Sequence, residues 1–328
     1  ENENILTPGE YTVSTTIRNP LTGEEQVFSR DFTWGVLAIN PNQDVYTPDQ
    51  VANIAIGVLD DAGEMVCDAA VQLLVKEPNG STFVLSTDDG SITVSDTCTV
   101  YEAGLIDPDY ETFFRLSEVG VYELTLSATT PNGTRKVRSE VVVEAAPDIV
   151  IERTAATRLW PAALSPMTIE VQFSESFAGT ITDVLPIGFE IEDVSGGGVV
   201  TVGKEDIQIA WQGSWHAGET AVLSYQYDAP DVSPEFYLVG PLQLETWNGV
   251  SYEERRSWQI ANDPTGTIAG TVFLDRGSND IGSAKTVQLV VNGATGATDE
   301  TDANGAYSFS SVTFTGGTVI AVYITGET

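Results

Sequence analysis

Acidic side chains at alternating positions are the first residues in this chain that could do chemistry. Asp107, Asp109 and Glu111 stand two apart in Asp107-Pro108-Asp109-Tyr110-Glu111. An irregular loop there could aim three carboxylates at one hard cation, and calcium is the cation such an oxygen set prefers. Asp60/Asp61 and Asp88/Asp89 are turn pairs of the same kind. Asx turns and solvated loops are the competing use of all these side chains. Calorimetry with calcium separates the two uses.

Cys67 and Cys98 are the only cysteines. With no second pair, a zinc set is excluded, and an internal disulfide is expected. Such a bond points to an oxidising, extracytoplasmic compartment. Two reduced, buried thiols are the alternative, and a free-thiol assay separates them.

Nucleophilic catalysis is not expected. The single histidine, His216, sits in Trp215-His216-Ala217-Gly218-Glu219, a hairpin tip rather than a pocket. A Ser–His–acid set needs its imidazole held by a second carboxylate. Paired carboxylates are plentiful, but nothing marks one of them as lying in an apolar pocket opposite an ionised partner. The expectation is a protein that is not an enzyme. Asn79-Gly80-Ser81 and Asn132-Gly133-Thr134 are glycosylation sequons on expected hairpin tips. The tryptophans could stack on sugars, although at strand positions they serve more often as core.

These residues must be carried by strands. Nearly every segment alternates apolar and polar residues and ends in a turn signal. Asn-Gly occurs at Asn79, Asn132, Asn248, Asn292 and Asn304, a pair suited to type I′ hairpin turns. A single helical turn near Pro108–Phe114 is the one expected exception. The fold class expected is all-β, as tandem Ig-like β-sandwich domains.

One hairpin occurs twice. Gly9-Glu10-Tyr11 runs to Pro20, Gly23, Val27, Ser29 and Phe32, and Gly120-Val121-Tyr122 runs to Pro131, Gly133, Val137, Ser139 and Val142. A repeat of this kind signals tandem domains. The first copy has no domain body before it, so the chain is expected to be part of a longer modular protein. The expected divisions are 1–34, the closing hairpin of a preceding domain; 35–145, a complete sandwich; 146–263, a second sandwich; and 264–328, a partial one.

The charge is lopsided. With 48 acidic and 14 basic residues, the formal net charge is −34. Such a surface repels phosphate backbones and anionic lipid, so nucleic acid is excluded as a partner class. No apolar run is long enough to cross a bilayer, so no membrane insertion is expected. Only four basic residues are lysine, Lys76, Lys136, Lys204 and Lys285, which fits a salt-adapted host or a calcium-rich exterior.

Several stretches resemble known surface modules. Asn42–Asp49, the alternating Asn53–Leu59, the turn Asp60-Asp61-Ala62-Gly63 and the later Gly120-Val121-Tyr122 resemble macroglobulin-type and related Ig-like repeats of bacterial and archaeal surface proteins. Their thioester is not implied, since no Cys-Gly-Glu-Gln occurs. Ile181–Phe189 resembles the strand and turn of conserved-repeat envelope domains. Gly266–Asp275, Val287–Val291 and Thr301–Phe309 are similar to carboxypeptidase-regulatory-like and SdrD-B-like domains. That likeness implies a calcium loop at Asp275, Asn279 and Asp280. It also raises a Lys–Asn isopeptide bond, which is not expected because Gly266–Asp275 lacks a lysine.

The function expected is a non-catalytic stalk or spacer in a large extracellular or cell-surface protein. Its expected partners are neighbouring domains, copies of itself, surface glycans or surface proteins. A filament subunit completed by strand exchange, or a carbohydrate-binding adhesin, is the alternative.

Overall fold

In a computed structural model, the residues described are 9–18, 25–34, 37–60, 65–98, 104–131, 133–159, 164–230, 235–262, 265–275, 277, 279–313 and 319–326. They form strands without a helix. Alternation in the sequence becomes alternation in burial. In Ala70–Lys76, Val71, Leu73 and Val75 are buried while the residues between them face solvent. Phe177–Pro186 repeats the pattern, with Phe177, Ile181, Asp183 and Leu185 turned inward. Successive side chains of a strand point to opposite faces, so this period selects a half-buried sheet.

The first sandwich faces two sheets against each other. One runs in the order Leu37–Pro41, Val51–Val58, Tyr110–Arg115, Ile92–Val94. The other runs Val45–Tyr46, Gly133–Val143, Gly120–Thr130, Ala70–Lys76, Thr82–Ser86. Ile54, Ile56, Leu73, Tyr110, Tyr122 and Leu124 lie in the core between them. Fully burying each of these isoleucines and leucines favours folding by roughly 1.5–3 kcal/mol.

The second sandwich has a four-stranded sheet, Ile149–Ala155, Ser165–Phe173, Thr220–Asp228, Glu190–Glu192. Opposite lies a five-stranded sheet, Val199–Val202, Asp206–Trp215, Phe177–Pro186, Gln243–Thr246, Ser251–Glu253. A three-stranded sheet, Arg158–Leu159, Trp258–Asn262, Glu235–Val239, closes one side. Trp211, Trp258, Tyr225 and Tyr227 are among the aromatics of its core. Both units are Ig-like β-sandwiches, with separate cores.

The repeated tail forms two antiparallel hairpins, Gly9–Arg18 with Glu25–Trp34 and Gly120–Thr130 with Gly133–Val143. Further on, Thr265–Thr271 pairs with Ala306–Thr313, and Thr286–Val291 lies between Ala294–Glu300 and Ile320–Ile324. Val287, Leu289, Phe309 and Val312 form their small core.

Two local expectations change. Pro108–Phe114 holds no helical turn, because Tyr110–Arg115 is a strand. Among the described Asn-Gly pairs, only Asn292-Gly293 has positive φ at both residues, 50° and 82°. There Val291 pairs with Ala294 across a two-residue turn. At Asn79, Asn248 and Asn304 only the glycine is left-handed. Longer connections are built on a type I turn ending in a left-handed residue, which needs one positive φ rather than two.

Candidate functional site

The joint between the two sandwiches is the most elaborate polar site among the described residues. In most sandwiches one face of each sheet meets solvent, but here the outer face of Leu37–Pro41 and of the later part of Val51–Val58 is covered by the second sandwich, while Phe113 and Arg115 on the neighbouring strand stay exposed. Leu37, Ile39, Ile54 and Ile56 face the first core. Ala38, Asn40, Asn53, Ala55 and Gly57 face the other way, and small side chains there let the second sandwich approach. An added Cβ on Gly57 would lie 3.6 Å from the Thr157 carbonyl oxygen of the second sandwich. Ala38 and Leu59 cluster with Phe236 and Ala261 across the joint.

Polar groups fix the register. Asn40 clamps the main chain of Gln259, donating from Nδ2 to its oxygen at 2.8 Å and accepting its N–H at 2.8 Å. Asp44 donates its N–H to Ile151 O at 3.0 Å and accepts Ile151 N–H on Oδ1 at 2.8 Å. Its other oxygen accepts the Tyr252 hydroxyl. Glu152 accepts from Asn42 Nδ2 at 2.9 Å and Gln43 Nε2 at 3.0 Å. Arg256 donates to Asn42 O at 2.8 Å, and Arg255 pairs with Glu144.

Two buried guanidiniums lie at or beside the joint, Arg158 bonding across it and Arg153 bonding within the second sandwich. Arg158 Nε donates to Asp109 Oδ1 at 2.9 Å, and Arg158 Nη2 donates to Cys98 O at 3.3 Å. Arg153 is enclosed by Asp183, at 2.7 and 3.0 Å, and by Glu254, at 2.7 and 3.0 Å. Tyr225 donates its hydroxyl to Asp183 at 2.7 Å, and Leu242 N–H donates to Glu254 at 2.9 Å. Burial works against the Arg153 charge, but Asp183 and Glu254 together outweigh it and hold the guanidinium well above its ordinary pKa. Burial raises Asp44, against the opposing hydrogen bond from Tyr252. Burial also raises Asp109, with Arg158 pulling the other way. A buried pair is favourable only when its remaining hydrogen-bonding capacity is filled. Asp109 meets that condition, its second oxygen accepting Val58 N–H at 3.1 Å.

A cleft of about 230 Å³ opens beside this joint, lined by Asn40, Asn53, Asp107, Glu111, Glu152 and Trp258 among others. Asp107 and Glu111 therefore share a wall, whereas Asp109 is committed to Arg158. Among the described residues no three His, Cys, Asp or Glu side chains converge as a metal set. Asp275 accepts the N–H groups of Gly277 and Asn279 at 3.1 Å each, and its other oxygen accepts Asn279 Nδ2 at 2.6 Å. Asp280 accepts Gly282 N–H at 3.0 Å. This loop is an Asx-turn network.

Cys67 and Cys98 are joined, with S–S 2.04 Å and Cα–Cα 5.9 Å. Asn79 is exposed on its hairpin, accepting Ser81 N–H at 2.6 Å and donating to Glu118 at 2.9 Å. Asn132 lies outside the described residues. His216 is at an exposed tip, its main-chain N–H donating to Glu219 at 2.8 Å.

Sequence reasoning missed the joint, although two signals were present. Arg153, Arg158, Arg255 and Arg256 are four of only 14 basic residues, and all four reach across or line this boundary. The strand Asn53-Ile54-Ala55-Ile56-Gly57-Val58 also alternates core residues with Asn, Ala and Gly, where a solvated strand of so acidic a chain would carry charge.

No family model matches the chain, and no curated protein matches it. Solved structures are similar to the chain only at low identity and low TM-score. A Salmonella alpha-2-macroglobulin reacted with methylamine is 12% identical with a TM-score of 0.25, over 86% of this chain and 21% of that one. A putative membrane anchored protein from Corynebacterium diphtheriae is 12% identical with a TM-score of 0.27, over 78% and 69%. The fibronectin(III)-like modules of Clostridium thermocellum CbhA are 13% identical with a TM-score of 0.21, over 69% and 93%. The chain thus spans about a fifth of the macroglobulins it resembles. The likeness extends no further than the class of fold.

Proposed function

We propose that this chain is a rigid, non-catalytic spacer within a tandem array of Ig-like modules on an extracellular or cell-surface protein. The observation that carries this reading is the joint. Two sandwiches with separate cores are fixed side by side by the Asp109–Arg158 pair, the Asp44–Ile151 exchange and the Asn40 clamp. A spacer transmits position only if its modules keep their mutual angle, and a polar joint with direct hydrogen bonds specifies that angle better than a linker does. The disulfide supports an oxidising exterior. Calcium belongs to the reading as counter-ion, with Asp107 and Glu111 on the cleft and Asp275, Asn279 and Asp280 in their loop as points of attachment. Calorimetry against a chelated control tests that part, and absence of both heat and melting shift removes it.

Electron microscopy tests the whole. The spacer reading expects particles in which the two sandwich lobes keep one angle between them. Particles of variable angle would overturn it. A second reading, glycan recognition, is favoured by Trp247, which is 69% exposed at a hairpin tip. Glycan-array binding lost in Trp247→Ala would support it.

A further inference from the structure

Val199–Val202 is the outermost strand of the five-stranded sheet in the second sandwich, and among the described residues it pairs only with Asp206–Trp215. Among the described residues no strand pairs with its far side, and an open edge is a template for another strand. Two other edges of this sandwich are guarded by acids. Glu190 and Glu192 sit on the end strand of the opposite sheet, and Glu253 on the far end of this one. Val199-Val200-Thr201-Val202 has no charge, no proline and no bulge. Val199 is 63% exposed and Val202 66%.

We propose that this edge is a self-association site, at which the same strand of a second copy adds antiparallel to form one continuous sheet. Backbone chemistry selects an extended strand as occupant. Self-complementarity selects a second copy: with Thr201 on a two-fold axis normal to the sheet, Val200 of one copy lies opposite Val202 of the other. Charge supports the same choice of place. Two chains of −34 each repel over most of their surfaces, and an uncharged strand is where they can meet. Four residues of strand bury far less than the ~1,600 Å² of a typical stable interface. The contact is accordingly weak between single chains and gains strength when modules are repeated along an array.

Sedimentation velocity over a protein concentration series tests this, at low salt and in molar salt, where the screening length falls to about 3 Å. A reversible dimer that strengthens with salt is expected, because screening removes repulsion and leaves the strand contact. Hydrogen exchange should slow at residues 199–203 as the dimer forms. Val199→Lys/Val202→Lys and Val202→Lys alone should stay monomeric with unchanged circular dichroism. Val222→Lys, at an equally exposed valine on an interior strand, should associate like wild type. A wild-type protein that remains monomeric throughout would overturn the proposal. So would association that weakens with salt, survives in the edge variants, or is abolished by Val222→Lys.

Discussion

Arg158 places its Nε 2.9 Å from Asp109 Oδ1, and both side chains are buried although they belong to different sandwiches. Strand parity puts Asp109 on the same outward face as Glu111. What covers it is the second sandwich, so the pair exists only while the modules are docked. Arg158 also holds the carbonyl of Cys98, which links the disulfide-bearing segment to the same contact.

Arg158→Ala should be among the most damaging single substitutions at the joint. It leaves Asp109 buried without a counter-charge, at a cost of about 3–5 kcal/mol for breaking a buried pair. Arg158→Met with Asp109→Asn removes both charges while keeping an acceptor for Val58, and should recover most of the loss. Urea unfolding measures both; a single variant indistinguishable from wild type would contradict the assignment.

Gly240→Ala should destabilise the second sandwich. Gly240 has φ +89°, and an added Cβ would lie 2.8 Å from Arg153 Nη2. Gly249 has φ +81° with open space around it, so Gly249→Ala reports the backbone strain alone. That strain is on the order of 1 kcal/mol. Thermal melting should show Gly240→Ala clearly worse; equal losses would mean that Arg153 yields freely.

Reduction of Cys67–Cys98, or its replacement by serines, should cost about 3 kcal/mol through the freed loop of the unfolded chain. The loss should be accompanied by faster hydrogen exchange in the segment leading to Asp109. Unchanged exchange there would detach the disulfide from the joint.

Asp44 gives the joint a pH signature. Burial raises its folded-state pKa above 3.8, so its carboxyl binds a proton more readily folded than unfolded. Its contribution is therefore complete below the unfolded value and is lost as pH rises through the raised folded value. The stability of wild type minus that of Asp44→Asn should fall across that window. A flat difference would show that Tyr252 and Ile151 fully offset the desolvation.

Much of the fold was legible because alternation is local. Val71, Leu73 and Val75 announce their inward face from sequence alone, and so does Ile181 between Thr180 and Thr182. The joint was not legible in the same way. Asp107, Asp109 and Glu111 look equivalent in the chain, and only the covering of Asp109 by a module 49 residues further on separates them. Arg153 likewise looks like a solvated strand residue until Asp183 and Glu254 meet it from distant strands. The paired cysteines needed no such distance argument, since only one pairing existed.

Rigidity between the sandwiches is tested most directly by pulsed electron paramagnetic resonance between spin labels at Val84→Cys and Val222→Cys. Both valines are exposed, and each lies on a different sandwich. One narrow distance distribution is predicted for the otherwise wild-type protein, broadening when Arg158→Ala is added. A broad or multiple distribution before that change would contradict a fixed joint.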